Sequence, residues 1–206
     1  FGLTNFGSRL RSLTLKACNL DLGRFLNSGD IFPRHLHFLD LSENYWLSSC
    51  QDIQLPPMLR FLVLRNIQWP QTTLLHFLSS LKTVQGIDVS FAKSEQWSKM
   101  KTKISLGSFK WIGWDANPLT TKFFDDLNPL KLVFLSLNRC EFSRSSKDAF
   151  FSFLERSKLD TLCIQGFNDF EGLFRVLPRV GTMRALDISQ SSGGEDELLL
   201  LLNFIQ

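Results

Sequence analysis

The stretch LRSLTLKACNL, Leu10 to Leu20, sets leucines at 10, 13, 15 and 20 and a cysteine at 18. Leu13-Thr14-Leu15 has the period-two alternation of a short strand, with the leucines on one face and Ser12, Thr14 and Lys16 on the other. A run this short is ambiguous by itself. Its meaning depends on whether it recurs, because stacking one strand per copy buries a continuous apolar edge that no single copy can bury alone.

It recurs through the chain. LHFLDLSENYW sets Leu36, Leu39, Leu41, Asn44 and Trp46 on the same template, and LRFLVLRNIQW sets Leu59, Leu62, Leu64, Ile67 and Trp69. Looser copies follow on Val84, Ile87, Val89 and Ala92, and on Phe109, Ile112, Trp114, Asn117 and Leu119. LVFLSLNRCEF restores the pattern on Leu132, Leu135, Leu137, Cys140 and Phe142. The last two copies use Leu159, Leu162, Ile164 and Phe167, then Met183, Leu186, Ile188 and Ser191. The eight copies start near 10, 36, 59, 84, 109, 132, 159 and 183, in steps of 26, 23, 25, 25, 23, 27 and 24 residues.

On these registered copies the chain resembles the leucine-rich-repeat family over almost all of residues 1–206, read as one domain of about eight repeats. The resemblance implies an α/β solenoid: a curved right-handed arc with a parallel sheet on its concave side and helices or irregular returns on its convex side. Three returns carry apolar residues at helical spacing, Thr72 to Leu81, Ser146 to Ser157 and Phe170 to Arg179, with Asp148 and Glu171 expected early in the last two. The return from Ser94 to Ser108 lacks this period, alternates Lys99, Lys101 and Lys103, and reads as an irregular or extended loop.

Composition narrows the function. The 206 residues hold 23 basic and 20 acidic side chains, a net charge of +3, so no global field favours nucleic acid. The 20 phenylalanines against one tyrosine point to rings used for burial. Cys18, Cys50, Cys140 and Cys163 are too scattered for a disulfide framework or a zinc knuckle, and none of the ten asparagines begins a glycosylation sequon. Both features suit a reducing, cytoplasmic setting. The apolar run from Leu198 is too short to span a bilayer and follows Glu195, Asp196 and Glu197. It reads, like the abrupt start at Phe1, as part of a longer chain.

Reactive chemistry finds little footing. His35, His37 and His76 lack the spacing of a metal set, and no nucleophile elbow, phosphate loop or dinucleotide fingerprint occurs. No metal, cofactor or catalytic residue is expected. The resemblance implies that the ninth position turns inward and bonds backbone groups of the stacked turns; Asn44, Asn117, Cys18 and Cys140 stand there, so both cysteines are expected to be structural. Cys163, between Leu162 and Ile164, faces outward without a neighbouring cation to activate it.

Register also orders the outward residues. One column reads Ser12, Phe38, Phe61, Gly86, Trp111, Phe134, Thr161 and Ala185, and the two beside it include Asp40, Asp88, Arg65, Asp115 and Asn138. Large rings in a solvent-facing column are costly unless covered, and aromatic anchors inside a polar rim are what binding hot spots look like. Phe38, Asp40, Phe61, Arg65, Asp88, Trp111, Asp115, Phe134 and Asn138 are therefore the candidate partner-binding residues of a non-enzymatic interaction module or scaffold. The helical returns and the Asn/Cys positions look like the ribonuclease-inhibitor-like subclass, which includes capping-protein regulators of the CARMIL type, tropomodulin-like proteins and Ran GTPase-activating proteins. That subclass implies protein partners, with cytoskeletal scaffolding a common use. The alternative is a spacer in a large assembly that contacts its neighbours through the convex helices. A GTPase activator would need a surface arginine and asparagine constellation that the sequence does not place.

Overall fold

The computed structural model describes residues 9–27, 32–46, 53–69, 71–92 and 106–191. Cys50, the lysines of the Ser94 to Ser108 return and the acidic-apolar tail lie outside them. The chain divides into two compact units, Phe1–Gln96 and Trp97–Gln206.

The first unit carries β1 (Ser12–Thr14), α1 (Leu22–Asn27), β2 (Phe38–Asp40), β3 (Phe61–Val63), α2 (Gln71–Ser80) and β4 (Gly86–Asp88). Its strands pair in chain order, all parallel, with Leu13, Leu39, Leu62 and Ile87 in one register row and Ser12, Phe38, Phe61 and Gly86 in the next. The second unit carries β5 (Trp111–Gly113), α3 (Thr121–Asp126), β6 (Phe134–Ser136), α4 (Arg144–Arg156), β7 (Thr161–Cys163), α5 (Phe170–Val176) and β8 (Ala185–Asp187). Here too the strands are parallel and sequential, with Ile112, Leu135, Leu162 and Leu186 in register. Each copy of the sequence template thus supplies one strand of an α/β layer.

The template's unequal spacing has a backbone cause. Two residues separate its first and second leucines, where strict alternation would allow one. In the strand ladder two successive N–H groups converge on one carbonyl: His37 and Phe38 both donate to Arg11 O, Arg60 and Phe61 to His37 O, Val133 and Phe134 to Lys110 O. As in a β-bulge, two residues stand opposite one and both remain outside the core. The following leucine turns inward again. Leu36, Leu39 and Leu41, like Leu59, Leu62 and Leu64, are 0% exposed, so replacing any of them with alanine is expected to cost about 2–5 kcal/mol.

After each strand the backbone enters the left-handed region at the same template position, the eighth: Ala17, Glu43, Asn66, Phe91, Ala116, Arg139, Gly166 and Gln190. Only one of these is glycine. The ladder continues through the turn, with Glu43 N donating to Arg65 O, Asn66 N to Ser90 O and Arg139 N to Gln165 O. Where an aspartate ends the strand, its carboxylate accepts the N–H two residues on, as in Asp40 to Ser42, Asp88 to Ser90 and Asp187 to Ser189. This recurrent Asp-x-Ser fixes the entry to the turn.

Aromatic rings fill the space between strands and returns. Trp46 and Trp69 meet at 4.7 Å over Phe77 in the first unit. In the second, Trp114 contacts Phe123 at 4.7 Å, and Phe124 lies among Phe142, Phe150 and Phe153. Trp46, Trp69, Trp114 and Leu119 are buried as their template positions require, while Phe142 is half-buried.

The three expected helices correspond to α2, α4 and α5, the last extended by a 3-10 turn over Leu177–Arg179. Two short helices, α1 and α3, had no periodic signal long enough to announce them. α3 is set by Thr120, whose hydroxyl accepts from Phe123 N, and by the burial of Phe123 and Phe124. One detail is corrected: α4 starts at Arg144, capped by Ser143, which leaves Asp148 beyond the first turn. Glu171 does lie in the first turn of α5, whose cap is Asp169.

Candidate functional site

The nine candidate residues fall into two groups, one in each unit. In the first unit β2 and β3 set Phe38 and Phe61 side by side on the face turned away from the core, Phe38 half-buried and Phe61 40% exposed. Asp40 follows on β2, its carboxylate occupied by Ser42 N at 2.9 Å. Asp88 departs from expectation. It was expected at the surface, yet it is 1% exposed, because Ser90 N binds one carboxylate oxygen and the Arg65 guanidinium lies against the other at 2.5 Å. Arg65, itself half-exposed, neutralises a buried charge and covers it. Ser42 and Ser90, placed by register on the outer face, are also buried, since the chain has already begun its left-handed turn there.

In the second unit Trp111 and Phe134 stack with ring centroids 4.5 Å apart and planes 10° from parallel. Both are half-buried. Beside them, Asp115 accepts from the Ser136 hydroxyl at 2.5 Å and from Asn138 N at 2.9 Å, and Asn138 Oδ1 accepts from Gln165 N at 2.8 Å. Gln165 in turn donates to Asp187 at 2.8 Å. The rim residues Asp115 and Asn138 are therefore links of a polar ladder that ties successive turns together. Hydrogen bonds from the Gln165 amide and from Ser189 hold the Asp187 carboxyl below its usual range. Burial, and then the Asp187 and Asp115 charges, push the Cys163 thiol up, the opposite of an activated nucleophile.

No protein-family model matches the chain, and no characterised protein matches it in sequence. The site therefore rests on its own geometry. Among the described residues no three His, Cys, Asp or Glu side chains stand close enough to hold a metal ion, and no helix is long and apolar enough to cross a membrane.

The ninth-position residues divide. Asn44 is buried and bonds five backbone groups, accepting from Cys18 N and Leu20 N and donating to Leu15 O, Leu41 O and Ser42 O. Cys140 donates its thiol to Trp114 O at 3.3 Å, and burial pushes that thiol up to about 12. Cys18 is exposed, its thiol donates to Lys16 O at 3.5 Å, and its backbone N–H joins the Asn44 network, since Asn44 reaches back into its turn.

Sequence reasoning passed over one row, the second template position. Arg11, His37 and Arg60 occupy it, each immediately before β1, β2 and β3, next to the ring column, and their alignment follows from the shared-carbonyl pattern. The signal was present as a basic residue before each outward residue of the first three copies.

Proposed function

We propose that the chain is a leucine-rich-repeat solenoid that serves as a non-enzymatic protein-interaction module, gripping a partner protein through the outer, concave faces of its strands. The observation that carries this reading is the placement of rings outside the core: Phe61 stands 40% exposed in the first unit, and Trp111 and Phe134 stack half-buried in the second. A parallel layer with an apolar, half-open face leaves binding energy unclaimed until another surface covers it. The surrounding polar side chains are largely tied to their own backbone, so they frame the rings rigidly. A reducing, cytoplasmic setting, with scaffolding of the cytoskeletal kind, is the expected context for such a module.

The test is substitution of Phe61 and Trp111 by serine, singly and together, with partner capture read by cross-linking and thermal melting recorded alongside. Both side chains lie outside the core, so the fold should survive. Loss of capture supports the concave-face reading. Full retention of every partner by the double variant overturns it in favour of a spacer that binds through its helices.

A further inference from the structure

We infer that Arg11 and Arg60, flanking His37 and with Phe38 and Phe61 beside them, dock an acidic segment of the partner protein that alternates carboxylates with apolar side chains. This rests on the interaction reading above and names the chemistry of the partner at one of its two faces.

The backbone aligns the row. Arg11 O receives His37 N at 2.8 Å and Phe38 N at 3.0 Å, and His37 O receives Arg60 N at 2.9 Å and Phe61 N at 3.0 Å. The three residues therefore stand at the entries to adjacent strands at steps of about 4.8 Å, and the Arg11 and Arg60 backbones lie about 9.6 Å apart. Three other cations of this unit lie against carboxylates: Lys16 by Glu43 at 3.1 Å, Arg24 by Asp21 at 3.7 Å and Arg65 by Asp88. Among the described residues no acidic side chain answers Arg11 or Arg60; Arg11 is held only by the His35 carbonyl at 3.3 Å. Burial first, and then the fields of Arg11, Arg60 and His35, keep the His37 imidazole below its usual range.

The charge pattern selects the partner class. The cations form a single file bordered by rings, and the next outward column brings Asp40, so a broad polyanion would meet repulsion one step away. A narrow strand of protein fits better. In a polyproline-II segment every third residue returns to the same face after about 9.3 Å, close to the two-strand separation, while the intervening apolar residues fall toward Phe38 and Phe61.

A fluorescent peptide repeating Glu-Leu-Pro, titrated beside its Gln-Leu-Pro counterpart, tests this with the intact chain. The glutamate form is expected to bind about tenfold tighter, with the difference fading as salt rises. The double variant R11Q/R60Q should erase that preference without lowering the melting temperature, while Phe61→Ser weakens both peptides alike. Equal binding of the two peptides, or no binding of either, overturns the inference. So does tighter binding to oligothymidylate or to phosphatidylserine vesicles. If the glutamate preference persists while Phe61→Ser changes nothing, the acidic partner stands and the aromatic face is the part that fails.

Discussion

The Asn44 side-chain oxygen accepts the backbone N–H of Cys18 at 3.1 Å, joining positions 26 residues apart in the chain. The expected roles of the two ninth-position residues are thereby unequal: Asn44 supplies the bonds, and Cys18 contributes its backbone. Replacing Asn44 with alanine strands the N–H groups of Cys18 and Leu20 and the carbonyls of Leu15 and Leu41. The loss is expected to be about 3 kcal/mol in urea unfolding. Asn44→Asp should recover part of it by keeping the acceptor. A change within about 0.5 kcal/mol, the range of an ordinary surface substitution, would contradict this account.

The left-handed turn predicts opposite effects at equivalent sites. Gly166 has φ of 79° with open space where a Cβ would stand, so Gly166→Ala meets only backbone strain and should cost about 1 kcal/mol. Ala116, at φ 53° in another repeat, should gain stability as glycine, by about 0.5–1 kcal/mol after the greater freedom of the unfolded chain is subtracted. Thermal melts of the two variants should move in opposite directions.

The strands were legible because the inward residues repeat: Leu39, Leu62, Ile112, Leu135 and Leu162 each sit at the centre of a three-residue strand. The turn conformation was hidden because its left-handed position holds residues as different as Ala17, Phe91 and Arg139, which have no common preference for it. Neighbouring hydrogen bonds impose the geometry. Asp88 misled for a related reason: alternation assigns a side, while burial depends on what lies over that side, and Arg65 comes from another strand's turn. The short helices α1 and α3 are tertiary products, with too few residues for a periodic signal.

Cysteine labelling should separate the three described thiols. Cys18 is exposed and should be alkylated first in the native protein, with Cys163 slower and Cys140 protected. Mass spectrometry of partially alkylated protein gives the order. Burial raises Cys140 from 9.0 to about 12, so the folded state keeps a proton that the unfolded chain releases. Stability from this group is complete below about pH 9 and is lost as pH climbs toward 12. Prior labelling of Cys140 under native conditions at neutral pH would contradict its placement.

His37 predicts an effect at the other end of the scale. Its folded-state value is lowered, first by burial and then by Arg11, Arg60 and His35, so below the ordinary histidine range the unfolded chain takes up a proton more readily than the folded one. Stability should be unaffected above that range and fall as pH drops through it. His37→Gln should flatten the slope between about pH 7 and 5 in denaturant titrations. An unchanged slope would mean that neither burial nor the cationic neighbours lower the imidazole.

The shared carbonyls and the left-handed turn make each copy a part of constant length, from Leu36 to Glu43 or from Leu59 to Asn66, whereas successive copies start 23 to 27 residues apart. All the elasticity in length resides in the returns. An epitope or fluorophore graft belongs there, since doubling a flexible loop costs only about 0.6 kcal/mol. One residue spliced between Leu59 and Asn66 would instead rotate Leu62 and Leu64 into solvent and break the stack at that rung.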